Sequence, residues 1–145
     1  MEAKNNKIID SLKAPEPVGL YPHARQVGSL LFLSGVGPRE RGTKQIPGVT
    51  LNEDGTVRSY CIETQCRSVF SNVRLILEDA GSSWSDLVDV TVFLTNMKDD
   101  FPIYNRVYAE FFKDALPCRT TVEVNALPTP IAIELKCIAA IKDMK

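Results

Sequence analysis

Residues 60–81, "YCIETQCRSVFSNVRLILEDAG", limit what this chain can fold into more than any other stretch. Ile62, Cys66, Val69, Phe70, Val73, Ile76, Leu77 and Ala80 recur at helical spacing and form one apolar stripe. Gly81 stands where a left-handed residue commonly closes a helix. A helix with a single apolar stripe needs a second layer to cover it. "LVDVTVFLTN" follows at 87–96, rich in β-branched residues and alternating around Asp89, and reads as a strand. A second helix reads over 99–112, with Asp99 or Asp100 as cap and Pro102 in its first turn. Its stripe is aromatic: Phe101, Tyr104, Val107, Tyr108, Phe111 and Phe112.

The other strands read as a short edge strand within "GLYPHARQVG" (19–28), a buried strand Leu30 to Ser34, a strand in 116–128 and a last strand in 131–141. The order is β-β-α-β-α-β-β. Two helices on one face of a mixed sheet predict a two-layer α+β domain. Residues 1–16 are polar, end in a proline-rich turn and read as a loose arm; 17–145 read as the single domain. Residues 39–58 form a long loop, a type of segment that is often functional.

Composition narrows the function. The net charge is -1, with no basic block, which argues against nucleic acid or an anionic membrane as partner. There is one histidine, His23, and the four cysteines form no C-x-x-C pair, so no zinc framework is expected. The N-terminus lacks the apolar core of a signal peptide, and a reducing cytoplasmic setting with free thiols is the default expectation.

The stretch "LPCRTTVEVNALP" (116–128) carries the chemistry. Side chains on a strand alternate between faces. One face is Thr120, Val122, Val124 and Ala126, which reads as a core face. The other is Arg119, Thr121, Glu123 and Asn125. A short connection leads to the last strand, so the two read as an antiparallel hairpin that sets Glu134 and Lys136 beside the Arg119 face. Glu123 and Lys136 read as an interface ion pair.

The segments "PVGLYPHA", "LLFLSG", "VTVFLTNM", "YNRVYAEFF", "PCRTTVEV" and "IAIELKCIA", in that order, resemble the Rid family of reactive-intermediate (imine and enamine) deaminases. "PCRTTVEV" is similar to the family's P-x-R-x-x-V-E-V signature. The resemblance implies a chorismate-mutase-like fold, a homotrimer with a central barrel, active sites between subunits and no metal or other cofactor. It also implies roles by position. Arg119 holds the substrate carboxylate and Glu134 holds the attacking water. Tyr21, Ser34, Gly35, Asn105, Cys118 and Thr121 line the substrate site.

Three features set the chain apart from the common members. Thr121 stands where many have cysteine, Val36 stands where they have glutamine, and the 39–58 loop is long. These resemble the 2-aminomuconate deaminase branch. The expected activity is therefore hydrolytic release of ammonia from an enamine or imine 2-amino acid, with 2-aminomuconate as best substrate. A general 2-aminoacrylate or 2-imino acid deaminase, a chorismate-mutase-like isomerase and a non-enzymatic ligand-binding or chaperone-like trimer are the alternatives.

Overall fold

A computed structural model describes residues 6–142. The strands are β1 (Asn6–Ile9), β2 (Ala24–Val27), β3 (Leu30–Leu33), β4 (Val49–Leu51), β5 (Val57–Tyr60), β6 (Leu87–Leu94), β7 (Cys118–Glu123) and β8 (Ile133–Ala140). The helices are α1 (Ile62–Asp79) and α2 (Met97–Phe112). Six strands make one sheet in the order β1-β2-β3-β8-β6-β7, and β4 pairs with β5 in a separate ribbon. Every neighbour in the large sheet is antiparallel except β6 and β7, which run parallel.

The core lies between the sheet and the two helices. The whole predicted α1 stripe faces it, with Ala80 half-buried at its end and Gln65 and Asn72 buried beside it. From the sheet come Leu31, Leu33, Val90, Val92, Leu94, Leu135 and Cys137, all fully buried. The aromatic stripe of α2 packs on Phe70 of α1, whose ring lies 5.2 Å from Phe112 and 5.1 Å from Phe111. The α2 cap is one turn earlier than the sequence indicates: the Asn96 side chain accepts from the Asp99 N–H. Asp100 is instead buried and accepts a 2.6 Å hydrogen bond from the Tyr60 hydroxyl.

Three expectations change. Residues 6–9 of the predicted loose arm are the edge strand of the sheet, paired with β2, so β2 is not an edge; residues 1–5 lie outside the described part. The 39–58 loop holds β4 and runs into β5, and the two pair as a ribbon. The largest change is that β7 and β8 are not a hairpin. β8 inserts between β3 and β6, and β7 pairs with β6 alone. A parallel pair needs a crossover connection, and α2 supplies it.

The chain after β1 is held by the single histidine. His23 is buried; its Nδ1 accepts the Ser11 N–H at 2.9 Å and its Nε2–H donates to the Pro15 carbonyl at 2.7 Å. That pattern fits the neutral ring. His23→Ala leaves both backbone groups without partners and is expected to cost about 2–4 kcal/mol of stability, read from urea unfolding midpoints. A loss within error of zero would show that the 10–17 segment is held by other contacts.

Candidate functional site

Glu134 projects from β8 on the face that the helices do not cover. Its row neighbour on β6 is Phe93, and that of Phe93 on β7 is Val122. The carboxylate lies against the turn that follows β3. There Val36 and Leu135 exchange backbone hydrogen bonds of 2.8 and 2.9 Å, which clamps Gly35 over the Glu134 side chain. A Cβ on Gly35 would overlap Glu134 Oε2 and sit 3.1 Å from its Cδ. Any other residue at 35 displaces the carboxylate, which is why this approach needs glycine.

A cleft opens beside this contact, lined by Tyr21, Ser34, Gly35, Arg39, Glu134 and Lys136. Ser34 Oγ donates to the Pro22 carbonyl at 2.7 Å, and Tyr21 Oη accepts from the Val18 N–H at 3.2 Å. Both side chains are thus fixed by local backbone. Lys136 Nζ bonds the Leu33 carbonyl. Burial pushes the Glu134 carboxyl above the usual carboxylate range, and the Arg39 charge partly opposes this. The predicted residues Tyr21, Ser34, Gly35 and Glu134 therefore meet in one place.

Arg119 is not among them. It lies on the helix side of β7, in register with buried Val90 of β6 and Cys137 of β8. Its Nη1 donates to Asn105 Oδ1 of α2 at 2.9 Å. Its guanidinium lies 4.6 Å from the Tyr108 ring centroid and 5.3 Å from that of Tyr104. The Tyr104 hydroxyl reaches Thr121 Oγ1 at 3.0 Å. Arg119, Asn105 and Thr121 thus form a second group, set on aromatic faces that fix the guanidinium plane. Cys118 points to the opposite face and is exposed.

The predicted face assignment for β7 is inverted. Thr120 and Val122, read as core, are exposed, and the Arg119–Thr121 face turns toward α2. The polar side chains sit there because β7 is the outermost strand and its helix-side face overhangs the end of the core. Glu123 accepts the Met97 N–H at the start of α2, and within the chain it lies on the opposite face of the sheet from Lys136. Arg119 and Glu134 are three residues apart along the strands and two strands apart across the sheet. Their Cα atoms are therefore about 14 Å apart, and their side chains leave opposite faces.

The family model described as Endoribonuclease L-PSP matches residues 11–141. The chain belongs to this family. A RutC family protein of Pyrococcus abyssi is 37% identical over 133 residues, 92% of this chain and 95% of its own. A Dermatophagoides farinae protein named 2-iminobutanoate/2-iminopropanoate deaminase is 34% identical, covering 94% of this chain and 97% of its own. The solved structure of Escherichia coli TdcF with bound serine superposes with a TM-score of 0.80 at 32% identity, over 94% of this chain and 99% of that one. The Rid resemblance read from the sequence and the two-layer α+β architecture are both met.

One cleft residue, Arg39, and the residue that holds its loop, Asn72, are absent from the sequence reading. Arg39 falls in a loop with no periodicity, and only its place directly after "SGVGP" hints at it. Asn72, which fixes that loop from α1, looks like an ordinary polar helix residue.

The raised Glu134 carboxyl has a stability consequence. Ionised Glu134 is less well solvated in the fold than in the unfolded chain. Its contribution is therefore most favourable below the unfolded carboxylate value, about 4.3, and declines as pH rises through the folded value. Glu134→Gln removes this titration. Its melting temperature is expected to exceed that of wild type at pH 8, with the gap closing toward about pH 4, measured by calorimetry. A gap that widens on acidification would contradict the burial argument.

Proposed function

We propose that the protein is a hydrolytic deaminase of 2-imino and 2-enamino acids, acting as a homotrimer in which Arg119 of one protomer meets Glu134 of its partner. One observation carries the reading. The guanidinium and the carboxylate lie on opposite faces of one sheet, about 14 Å apart at the backbone, so they converge only if a second copy packs against the first. The uncovered sheet face, with exposed Leu30, Val88 and Val122, is a surface such a copy would cover. The mite relative's name supports the reaction class.

The chemistry needs few groups. The Arg119 fork holds the 2-carboxylate bidentately, with Asn105 and Tyr108 fixing its plane. This places the imine carbon near Glu134. The carboxylate takes a proton from water as the water oxygen bonds to that carbon. Protonated Glu134 hands that proton to the imine nitrogen to give the carbinolamine. The carbinolamine hydroxyl then passes its own proton through Glu134 to the amino nitrogen as the carbonyl forms and the C–N bond breaks, and ammonia and a 2-oxo acid leave. A carboxyl shifted upward by burial is better suited to both proton transfers near neutral pH than an ordinary glutamate.

The substrate we favour is 2-aminomuconate, with a general 2-imino acid as the broader alternative. Thr121, Val36 and the 39–58 segment, which holds β4 and runs into β5, support the narrower choice. The test is ammonia release from freshly generated 2-aminomuconate and 2-iminobutanoate. Arg119→Ala is expected to lower kcat/KM by at least about thirtyfold, the loss of a charge-paired anchor worth about 2–5 kcal/mol. Faster turnover of 2-aminomuconate supports the narrower substrate. Turnover of 2-iminobutanoate alone supports the broader one. No acceleration of either would leave a ligand-binding protein and overturn the reaction.

A further inference from the structure

Arg39 has no task in the reaction as written. It is nonetheless held in the Glu134 cleft with more care than a surface arginine needs. Buried Asn72 on α1 donates from one Nδ2 to two carbonyls of its loop, Gly37 at 2.9 Å and Arg39 itself at 2.8 Å. Pro38 lies between them. The guanidinium is then tethered through Nη2 to the Glu16 carbonyl at 2.7 Å, which leaves Nε and Nη1 without a side-chain partner among the described residues. Among the described residues, Glu134 is the one carboxylate lining the cleft, against two cations, Arg39 and Lys136. Lys136 is drawn to the Leu33 carbonyl on the sheet, so Arg39 is the cation with N–H donors left open in its guanidinium plane.

We propose that Arg39 is a specificity-determining residue that binds a second carboxylate of the substrate, so that the preferred substrates are dicarboxylic 2-imino or 2-enamino acids. The proposal rests on the deaminase reading for its first carboxylate, which Arg119 holds. With Arg119 brought in by a partner, the cleft has three cations and one carboxylate. A monocarboxylate satisfies one of those cations and leaves Arg39 facing only Glu134. A dicarboxylate satisfies both arginines and leaves Glu134 paired with the reacting centre between them. Planar guanidinium donors suit a carboxylate better than an ammonium does. The same position lets the Arg39 charge act on Glu134, so a pure tuning role is the competing explanation.

The test compares wild type, Arg39→Gln and Arg39→Lys on 2-aminomuconate and 2-iminobutanoate, with binding of 2-oxoadipate and 2-oxobutanoate by calorimetry. The expected result is a kcat/KM loss in Arg39→Gln at least about tenfold greater for the dicarboxylate than for the monocarboxylate, carried mainly by KM. Part of it should be recovered in Arg39→Lys. 2-Oxoadipate should bind wild type more tightly than 2-oxobutanoate, and Arg39→Gln should erase that preference. Equal losses on both substrates, with the acid limb of the pH profile displaced, would make Arg39 a tuning residue and overturn the proposal while the deaminase stands. If wild type releases no ammonia yet shows the Arg39-dependent preference for 2-oxoadipate, the reaction fails and the dicarboxylate cleft stands. No preference in either readout overturns it.

Discussion

The parallel pairing of β6 with β7 is the constraint on which the rest depends. Because those strands run the same way, the chain must cross between them, and α2 is that crossover. β7 thereby becomes the outer edge of the sheet, with one face over the aromatic stripe of α2. Arg119 inherits that face, which gives it Tyr104 and Tyr108 to lie on and Asn105 to bond. β8 takes the other side of β6, next to β3, so it is flanked on both sides and carries Glu134 into the middle of the sheet. One pairing choice therefore separates Arg119 from Glu134.

Among the described residues, Glu134 is set by close approach rather than by hydrogen bonds. The paired backbones of Val36 and Leu135 bring Gly35 onto the carboxylate, and the missing Cβ is what makes room. The same crowding strips water from one side of the group, and this raises its proton affinity. The surrounding loops are anchored at a distance: Gln65 holds the Ala132 N–H just before β8, Asn72 holds the Gly37–Arg39 turn, and His23 holds the segment before Tyr21. Each anchor is a buried polar side chain whose hydrogen bonds go to backbone, so each fixes the course of a loop.

Much of this was legible from residue spacing. The α1 stripe, the aromatic face of α2 and the alternation of β6 and β8 each have one physical reading, and the structure has it. The partner of β7 was not legible. A six-residue strand with a polar and a mixed face reads the same beside β8 as beside β6, and a short connection favours the hairpin. The faces of β7 were inverted for a related reason: at an outermost strand the helix layer ends, so the polar face can turn inward to the layer's rim. Edge strand β1 was missed because "NKII" has too few residues to show alternation. The candidate site was half-legible. Motif residues identify Glu134, Gly35 and Arg119, whereas Arg39 and Asn72 acquire meaning only from the course of a loop without periodicity.

The central claim is that a working site takes Arg119 from one copy and Glu134 from another. Mixing the Arg119→Ala and Glu134→Gln proteins, each expected to be strongly impaired alone, tests it directly. After unfolding and refolding together in equal amounts, ammonia release is expected to return to about a quarter of wild type, the share of interfaces that join an intact arginine to an intact glutamate. A mixture as inactive as its components, with mixed oligomers confirmed by mass, would contradict the shared site.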